Sequence, residues 1–472
     1  MPRIAIVGAG IAGLNAALAL QDAGLSSSVY EASDRIGGRM HSDALTWGDG
    51  TVSEWCGEFI DHDHDTLHQL FKRFGLGTID LGQGKAGRAQ TALYFFNRFH
   101  SADELAGDFQ ALAPLLEQQL HEVGFPTTHD RFTEAGFKLD QLSAYDWITQ
   151  YVEGGHGTLL GRYLDAACTG FYGLDTTEQS ALNLIYMFAS RVLSRESSIP
   201  RPVQGTSKIA GGNEQLPLAI ARSLPESAIH LSHQLVALER ESDASLTLTF
   251  ATADGSTRVQ CERAILTLPF STLRHVAYQR AAFDPLKRTA IEQLGYGTIS
   301  KLFLQFDRPY WYDDGPWPRA ESGFIITDLD IQTLWDASIA RTGASGLLVN
   351  YTSGYRGAAF APPAAYSTVE DSATIQRYAQ HCLHQLEHVF PGISVHYTGR
   401  AALSYPIGDP YLQGSYACWR VGQYTRIGGY ERVRQGPVHF AGEHCSIEFQ
   451  GYMEGAAREG ARAAREIVQD LR

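Results

Sequence analysis

Arg3-Ile4-Ala5-Ile6-Val7-Gly8-Ala9-Gly10-Ile11-Ala12-Gly13 is the stretch that decides the fold. Its apolar first half reads as a short buried parallel strand, and Leu14 through Leu20 reads as an Ala/Leu-rich helix. Between them stands G-x-G-x-x-G in its required context of strand, tight turn and helix. Gly8 permits the turn, Gly10 lets the backbone approach a pyrophosphate, and Gly13 allows close packing of helix on strand. The free N–H groups and positive dipole end of the helix then receive phosphates. A second strand, Ser28-Val29-Tyr30, ends at Glu31, at the spacing of an acid that bonds a ribose 2′-OH. The reading is a Rossmann-type α/β dinucleotide site. The motif leaves NAD and FAD open, whereas the acid disfavours NADP, whose 2′-phosphate it would repel.

The next residues narrow the choice. Glu31-Ala32-Ser33-Asp34-Arg35-Ile36-Gly37-Gly38-Arg39 resembles the E-A-x-x-R-x-G-G-R signature of the FAD-dependent amine-oxidase superfamily, which includes monoamine, polyamine and L-amino-acid oxidases. In that family the paired glycines and the arginine sit against the FAD diphosphate, where an arginine makes charge-assisted bonds. Phe440-Ala441-Gly442-Glu443-His444 and Phe449-Gln450-Gly451-Tyr452-Met453-Glu454-Gly455-Ala456 resemble the family's closing motif. There a helix N-terminus faces the pyrimidine edge of the flavin and stabilises the charge of its reduced form. Gly211-Gly212-Asn213-Glu214-Gln215-Leu216 and Leu266-Thr267-Leu268-Pro269 match as well. The resemblance assigns Gly8, Gly10, Ala12, Gly13, Glu31, Ala32, Gly38, Arg39, Gly57, Glu58, Leu235, Gly442, Glu443, Gly451, Tyr452 and Met453 to the cofactor.

Composition sets the outer bounds. The chain has 472 residues, too many for one ordinary domain, with 44% hydrophobic and 19% charged residues, as in a packed globular protein. A net charge of −14 without a Lys/Arg run argues against a nucleic-acid partner and is compatible with attraction of cationic small molecules. Cys56, Cys168, Cys261, Cys382, Cys418 and Cys445 are scattered without C-x-x-C spacing, so neither a disulfide framework nor a zinc site is expected. Reduced thiols suggest a cytoplasmic protein. No membrane anchor is expected, because no apolar run reaches about 18 residues.

The pattern along the chain alternates. Residues 1–80 read βαβ, 101–200 show helical periodicity (Leu105 to Leu120, Glu178 to Ser190), and a nucleotide-domain style returns after Pro200. The expected architecture is a discontinuous FAD-binding domain (1–84, 200–290, 405–472) with an interleaved α+β substrate-binding domain (85–199, 291–404). The resemblance implies the same interleaving.

Two features point toward amine chemistry. In Gly297-Thr298-Ile299-Ser300-Lys301-Leu302-Phe303-Leu304-Gln305-Phe306 a lysine heads an apolar strand. A buried lysine is costly without a partner or task, though one at a strand end can snorkel to solvent. Lys301 aligns with the family lysine that holds a water against flavin N5 and assists reaction with O2. Asp409 to Tyr416 resembles the segment carrying one wall of the family's aromatic cage, and Tyr452 stands at the other wall. Two ring faces can guide an amine toward the flavin.

Monoamine oxidases carry their flavin-linking cysteine where Ser415 stands, so non-covalent FAD is expected, with Cys418 a weaker attachment point. The implied reaction is hydride transfer from the carbon α to an amine nitrogen onto flavin N5. It gives an imine, and reoxidation by O2 gives H2O2. Intramolecular capture of the imine and oxidation of an L-amino acid stay open as alternatives. The usual arginine-containing motif for a substrate carboxylate is replaced here by Trp55-Cys56-Gly57-Glu58. Glu58 either recognises a second positive group or bonds cofactor hydroxyls. Asp61-His62-Asp63-His64-Asp65 reads as helix N-caps rather than as a metal centre. A homodimer is compatible with the sequence.

Overall fold

The computed structural model describes residues 3–48, 50–81, 91–194, 207–242, 245–318, 323–338 and 345–472. The expected boundaries at 84/85 and 199/200 lie outside the described residues. Ile4–Val7 is buried at every position and forms the middle of a five-stranded parallel sheet. Its order is Val438–Phe440, Arg263–Leu266, Ile4–Val7, Ser27–Tyr30 and Ile229–His230. A parallel sheet covered on both faces requires continuous apolar strands, which is how Ile4–Val7 reads. The architecture is the expected α/β one, with its Rossmann-type unit gathered from both ends and the middle of the chain. An antiparallel sheet of Gln234–Ser242, Ser245–Thr252 and Gly255–Cys261 flanks it.

The first helix, Ile11–Asp22, lies against the last, Met453–Asp470. A Cβ on Gly460 would lie 2.0 Å from the carbonyl oxygen of Ala12, so the backbones touch where they cross. Asn15 Nδ2 donates to the Ala457 carbonyl at 2.8 Å and pins the same crossing. Gly13 works beneath it: its Cβ would fall 1.9 Å from the Gly8 carbonyl oxygen.

An eight-stranded sheet faces this unit. Its order is Tyr366–Thr368, Tyr397–Ser404, Ser300–Phe306, Gly346–Thr352, Thr333–Asp336, Ile325–Thr327, Ala92–Phe95 and Arg98–His100. Ser300–Phe306 is central and wholly buried. The period-2 alternation of a strand sends Leu302, Leu304 and Phe306 into a core with the helix Ala373–Val389. Phe303 joins Trp47, Trp55 and Trp335 on the opposite face, and Lys301 shares that face. The helical segment holds Ala102–Val123, Glu134–Asp140, Ala144–Tyr151, Leu159–Tyr172 and Ala181–Ser194. Ser101, Thr133, Ser143 and Thr158 cap four of these through their hydroxyls. The last begins three residues later than its sequence pattern suggests, because the Glu178 amide closes a turn on the Asp175 carbonyl. Among the described residues, no helix is long and apolar enough to cross a membrane.

Gly460→Ala should destabilise the protein by about 1–3 kcal/mol by forcing the two helices apart. Gly107→Ala, at an exposed mid-helix position with no atom near its added Cβ, should stabilise by about 0.5–1 kcal/mol. Denaturant unfolding of both variants checks the pair.

Candidate active site

A cavity of about 400 Å³ runs between the parallel sheet and the eight-stranded sheet. It is bordered by Gly8, Gly10, Ala12, Glu31, Ala32, Gly38, Arg39 and Leu235. Gly8 adopts φ +106°, and a Cβ there would lie 2.4 Å from Thr267 Oγ1. A Cβ on Gly10 would meet no protein atom closer than 4.0 Å, so this glycine leaves room on its cavity side. The helix beginning at Ile11 has no side-chain cap, and its free amides stand at the cavity. Glu31 already clamps the turn: Oε2 accepts from the Ala9 amide at 2.7 Å, and Oε1 accepts from the Ser33 amide and hydroxyl, both at 2.9 Å. Gly13 alone of the expected cofactor residues does not border the cavity; it packs behind Gly8.

Gly57, Glu58, Gly442, Glu443, Gly451, Tyr452 and Met453 line the same cavity together with Lys301 and Tyr416. The terminal helix also starts without a side-chain cap, so two uncapped helix N-termini meet one cavity. An uncapped N-terminus is an anion site, and two of them suit a cofactor that carries both a diphosphate and an anionic ring edge. FAD is the cofactor these residues suit. Ser415, at the thioether position of covalent flavoproteins, cannot form that bond, and Cys418 is fully buried beside Asn183.

Glu443 joins three remote segments. Its Oε1 accepts from Arg39 Nη1 at 2.8 Å and from the Ala417 amide at 3.2 Å, and its Oε2 accepts from the Gly451 amide at 2.9 Å. Arg39 was expected against a diphosphate; it lines the cavity but directs Nη1 to Glu443 and to the Ser415 carbonyl at 2.6 Å. Gly451, at φ +85°, lets the Tyr416 ring approach, since a Cβ there would lie 3.3 Å from that ring. The Tyr416 hydroxyl meets that of Tyr351 at 3.0 Å and donates to the Phe171 carbonyl. Tyr351 carries no motif in the sequence, but it is the cross-strand partner of Lys301.

Lys301 does not snorkel to solvent. Its Nζ donates to the Cys56 carbonyl at 2.7 Å, Glu58 Oε2 at 3.0 Å and the Glu54 carbonyl at 3.1 Å. Glu58 borders the same cavity, and its second oxygen accepts from Lys208 Nζ. Burial would raise the Glu58 carboxyl, but the two ammonium groups overcome this and hold it at about 2. Asn213 positions the same loop by donating Nδ2 to the Gly57 and Glu58 carbonyls at 3.0 and 2.8 Å. Burial pushes neighbouring Glu54 up to about 7, against the Asn213 amide and the Ser42 hydroxyl that it accepts from.

The expected aspartate caps after Ile60 are absent. The helix Asp65–Phe74 follows His64, which caps nothing. Glu454, from the terminal helix, accepts from the Thr66 and Leu67 amides at 3.0 and 2.9 Å.

The sequence pattern of flavin containing amine oxidoreductases matches residues 11–468. An L-amino acid dehydrogenase of Synechocystis sp. is 24% identical over 485 residues, covering 98% of this chain and 94% of the relative. A putrescine oxidase of Kocuria rosea is 24% identical over 496 residues, covering 98% and 95%. Cyclohexylamine oxidase from Brevibacterium oxydans IH-35A has the same fold, with a TM-score of 0.82 at 20% identity, covering 100% of this chain and 99% of the other.

Glu54 holds a proton more tightly in the fold than its ordinary value of 4.5 allows in the unfolded chain. Its contribution to stability is complete below about pH 4.5 and is lost as pH rises through about 7. Glu54→Gln should remove this slope, so the variant should gain on the wild type by about 1–3 kcal/mol between the two limits. Urea unfolding at both pH values measures it.

Proposed function

Because the chain belongs to the flavin-containing amine oxidoreductase family, we propose that it oxidises a primary or secondary amine with an apolar body. The amine becomes an imine while O2 is reduced to H2O2. The observation that carries this reading is that Lys301, Tyr416 and Tyr452 line a single cavity with the uncapped N-terminus of the terminal helix. Bound FAD supplies the two-electron acceptor for the carbon–hydrogen bond next to nitrogen.

The chain's own residues orient and exclude. Tyr416 turns its hydroxyl away to Tyr351 and Phe171, so it offers a ring face to an amine. Phe59, Phe171, Phe324, Trp335 and Tyr351 wall the adjoining space and favour an apolar or aromatic substrate body over water. Lys301, held at the cavity by three acceptors, orients a water or O2 there when one of those bonds is released.

An amino-acid substrate has less support. Arg35 and Arg39 are the arginines at the described cavity wall. Arg35 donates to the Ile36 and Gly38 carbonyls, and Arg39 to Glu443 and the Ser415 carbonyl. Glu58, held by two lysines, is likewise committed before a diamine's second ammonium arrives.

An anaerobic panel tests the reading: an arylalkyl monoamine should bleach the flavin faster than a diamine or an L-amino acid. Bleaching by no amine sinks the proposal, and preference for an L-amino acid replaces it with the alternative. Lys301→Met should retain FAD and slow flavin reoxidation by O2 at least about tenfold, read by stopped-flow absorbance.

A further inference from the structure

Behind the cavity wall, Lys208 is a second buried lysine with no part in the expected chemistry. It lies on Ser207–Ile209, a strand paired with Thr78–Asp80, and its side chain is 10% exposed. Its ammonium holds Glu58 Oε1 and stands 5.7 Å from the Phe59 ring centroid. Glu58 is 3% exposed at its side chain, and its other oxygen holds Lys301. Three buried groups thus form a row with the carboxylate in the middle; Glu58 and Lys301 line the cavity, and Lys208 lies behind them.

Hydrogen counting gives the row a purpose. An ammonium has three N–H donors, and Lys301 has three protein acceptors: the Glu54 and Cys56 carbonyls and Glu58. For Lys301 to present a hydrogen to a ligand in the cavity, one of these bonds must be given up. If Glu58 had Lys301 as its sole cation, loosening that bond would strand a buried charge, at heavy cost.

We propose that Lys208 is a positioning residue for Lys301: it keeps Glu58 ionised and in place, so that Lys301 can turn a hydrogen toward the cavity without stranding the carboxylate. The inference rests on Lys301 acting in the oxidase reaction. The titratable groups facing Glu58 are Lys208, Lys301, Glu54 and Tyr351, with Cys56 beside Lys301. Of these, the two lysines oppose the effect of burial on the carboxyl.

Removing Lys208 deletes one of those two cations, and the loss of one nearby opposite charge should raise a carboxyl by about 1–3 pH units. Infrared titration of the apoprotein and the FAD-bound enzyme reads this directly. Lys208→Met should show a protonated carboxyl band growing toward the acid end of about pH 4–8. Recorded on a Glu54→Gln background, which removes the carboxyl that burial already raises to about 7, and as a difference from the same protein with Lys208 intact, the band should be absent in Lys208→Arg and absent again when Glu58→Gln is added to Lys208→Met. Flavin reoxidation in Lys208→Met should acquire an acid limb at the same pH, removed in Lys208→Arg.

No new band, a band that survives Glu58→Gln, or a rate lowered by the same factor at every pH would overturn the proposal. If Lys208→Met does not fold, Lys208→Gln carries the same titration. Lys301→Met separates the two ideas. Reoxidation as in wild type would remove Lys301 from the reaction, whereas slow reoxidation with an untitrated Lys208→Met would remove Lys208 alone.

Discussion

Where the first and last helices cross, no side chain intervenes between the Ala12 carbonyl and Gly460. That contact sets the distance between two helix N-termini about which the rest of the protein is arranged. A helix beginning at Ile11 and one beginning at Met453 both open on one cavity, and neither is capped by its own side chains. A larger residue at the crossing would splay the helices and separate their free amides. Six small residues of the terminal helix, Gly455, Ala456, Ala457, Gly460, Ala463 and Ala464, are buried. They give a close-packed face in place of a bulky apolar one.

Buried charge in this protein is organised around carboxylates that each serve several donors. Glu443 gathers Arg39 and two backbone amides, Glu58 gathers two lysines, and Glu454 supplies the start of the helix at Asp65. Each joins segments of the chain that are distant in sequence. A buried ion pair is weak evidence for net stability, and these carboxylates are better understood as fixing geometry. They hold the Gly57 loop, the Gly451 turn and the Arg39 segment in one relative arrangement.

The parts of the fold legible in the sequence are those whose logic is local. The strand at Ile4, the turn at Gly8 and the helix at Ile11 adjoin one another, and each glycine has a steric reason that can be stated without tertiary contacts. Lys301 was legible because a charge interrupts an apolar strand, and strand alternation then determines its face. Glu454 was not legible as a helix cap, since its partners Thr66 and Leu67 lie nearly a whole chain away, and nearby aspartates looked better suited. The Glu58–Lys208 pair and the Tyr351–Tyr416 hydroxyl contact belong to the same class. A weak signal existed for Lys208, a lysine directly before the Ile209-Ala210-Gly211-Gly212-Asn213 segment, but only Asn213 bonding to the Glu58 loop gives it meaning.

The order of strands in the parallel sheet has a consequence in time. Ile4–Val7 pairs with Ser27–Tyr30 almost at once, but its other neighbour is Arg263–Leu266, and the edge beyond is Val438–Phe440. During synthesis the central strand therefore waits, half partnered, while more than half the chain is made. Closing such long loops is entropically slow and leaves an apolar edge exposed. The Gly451 turn and the helix Met453–Asp470 come later than all of these strands. The nascent chain therefore makes its dinucleotide turn long before the second helix terminus that borders the same cavity.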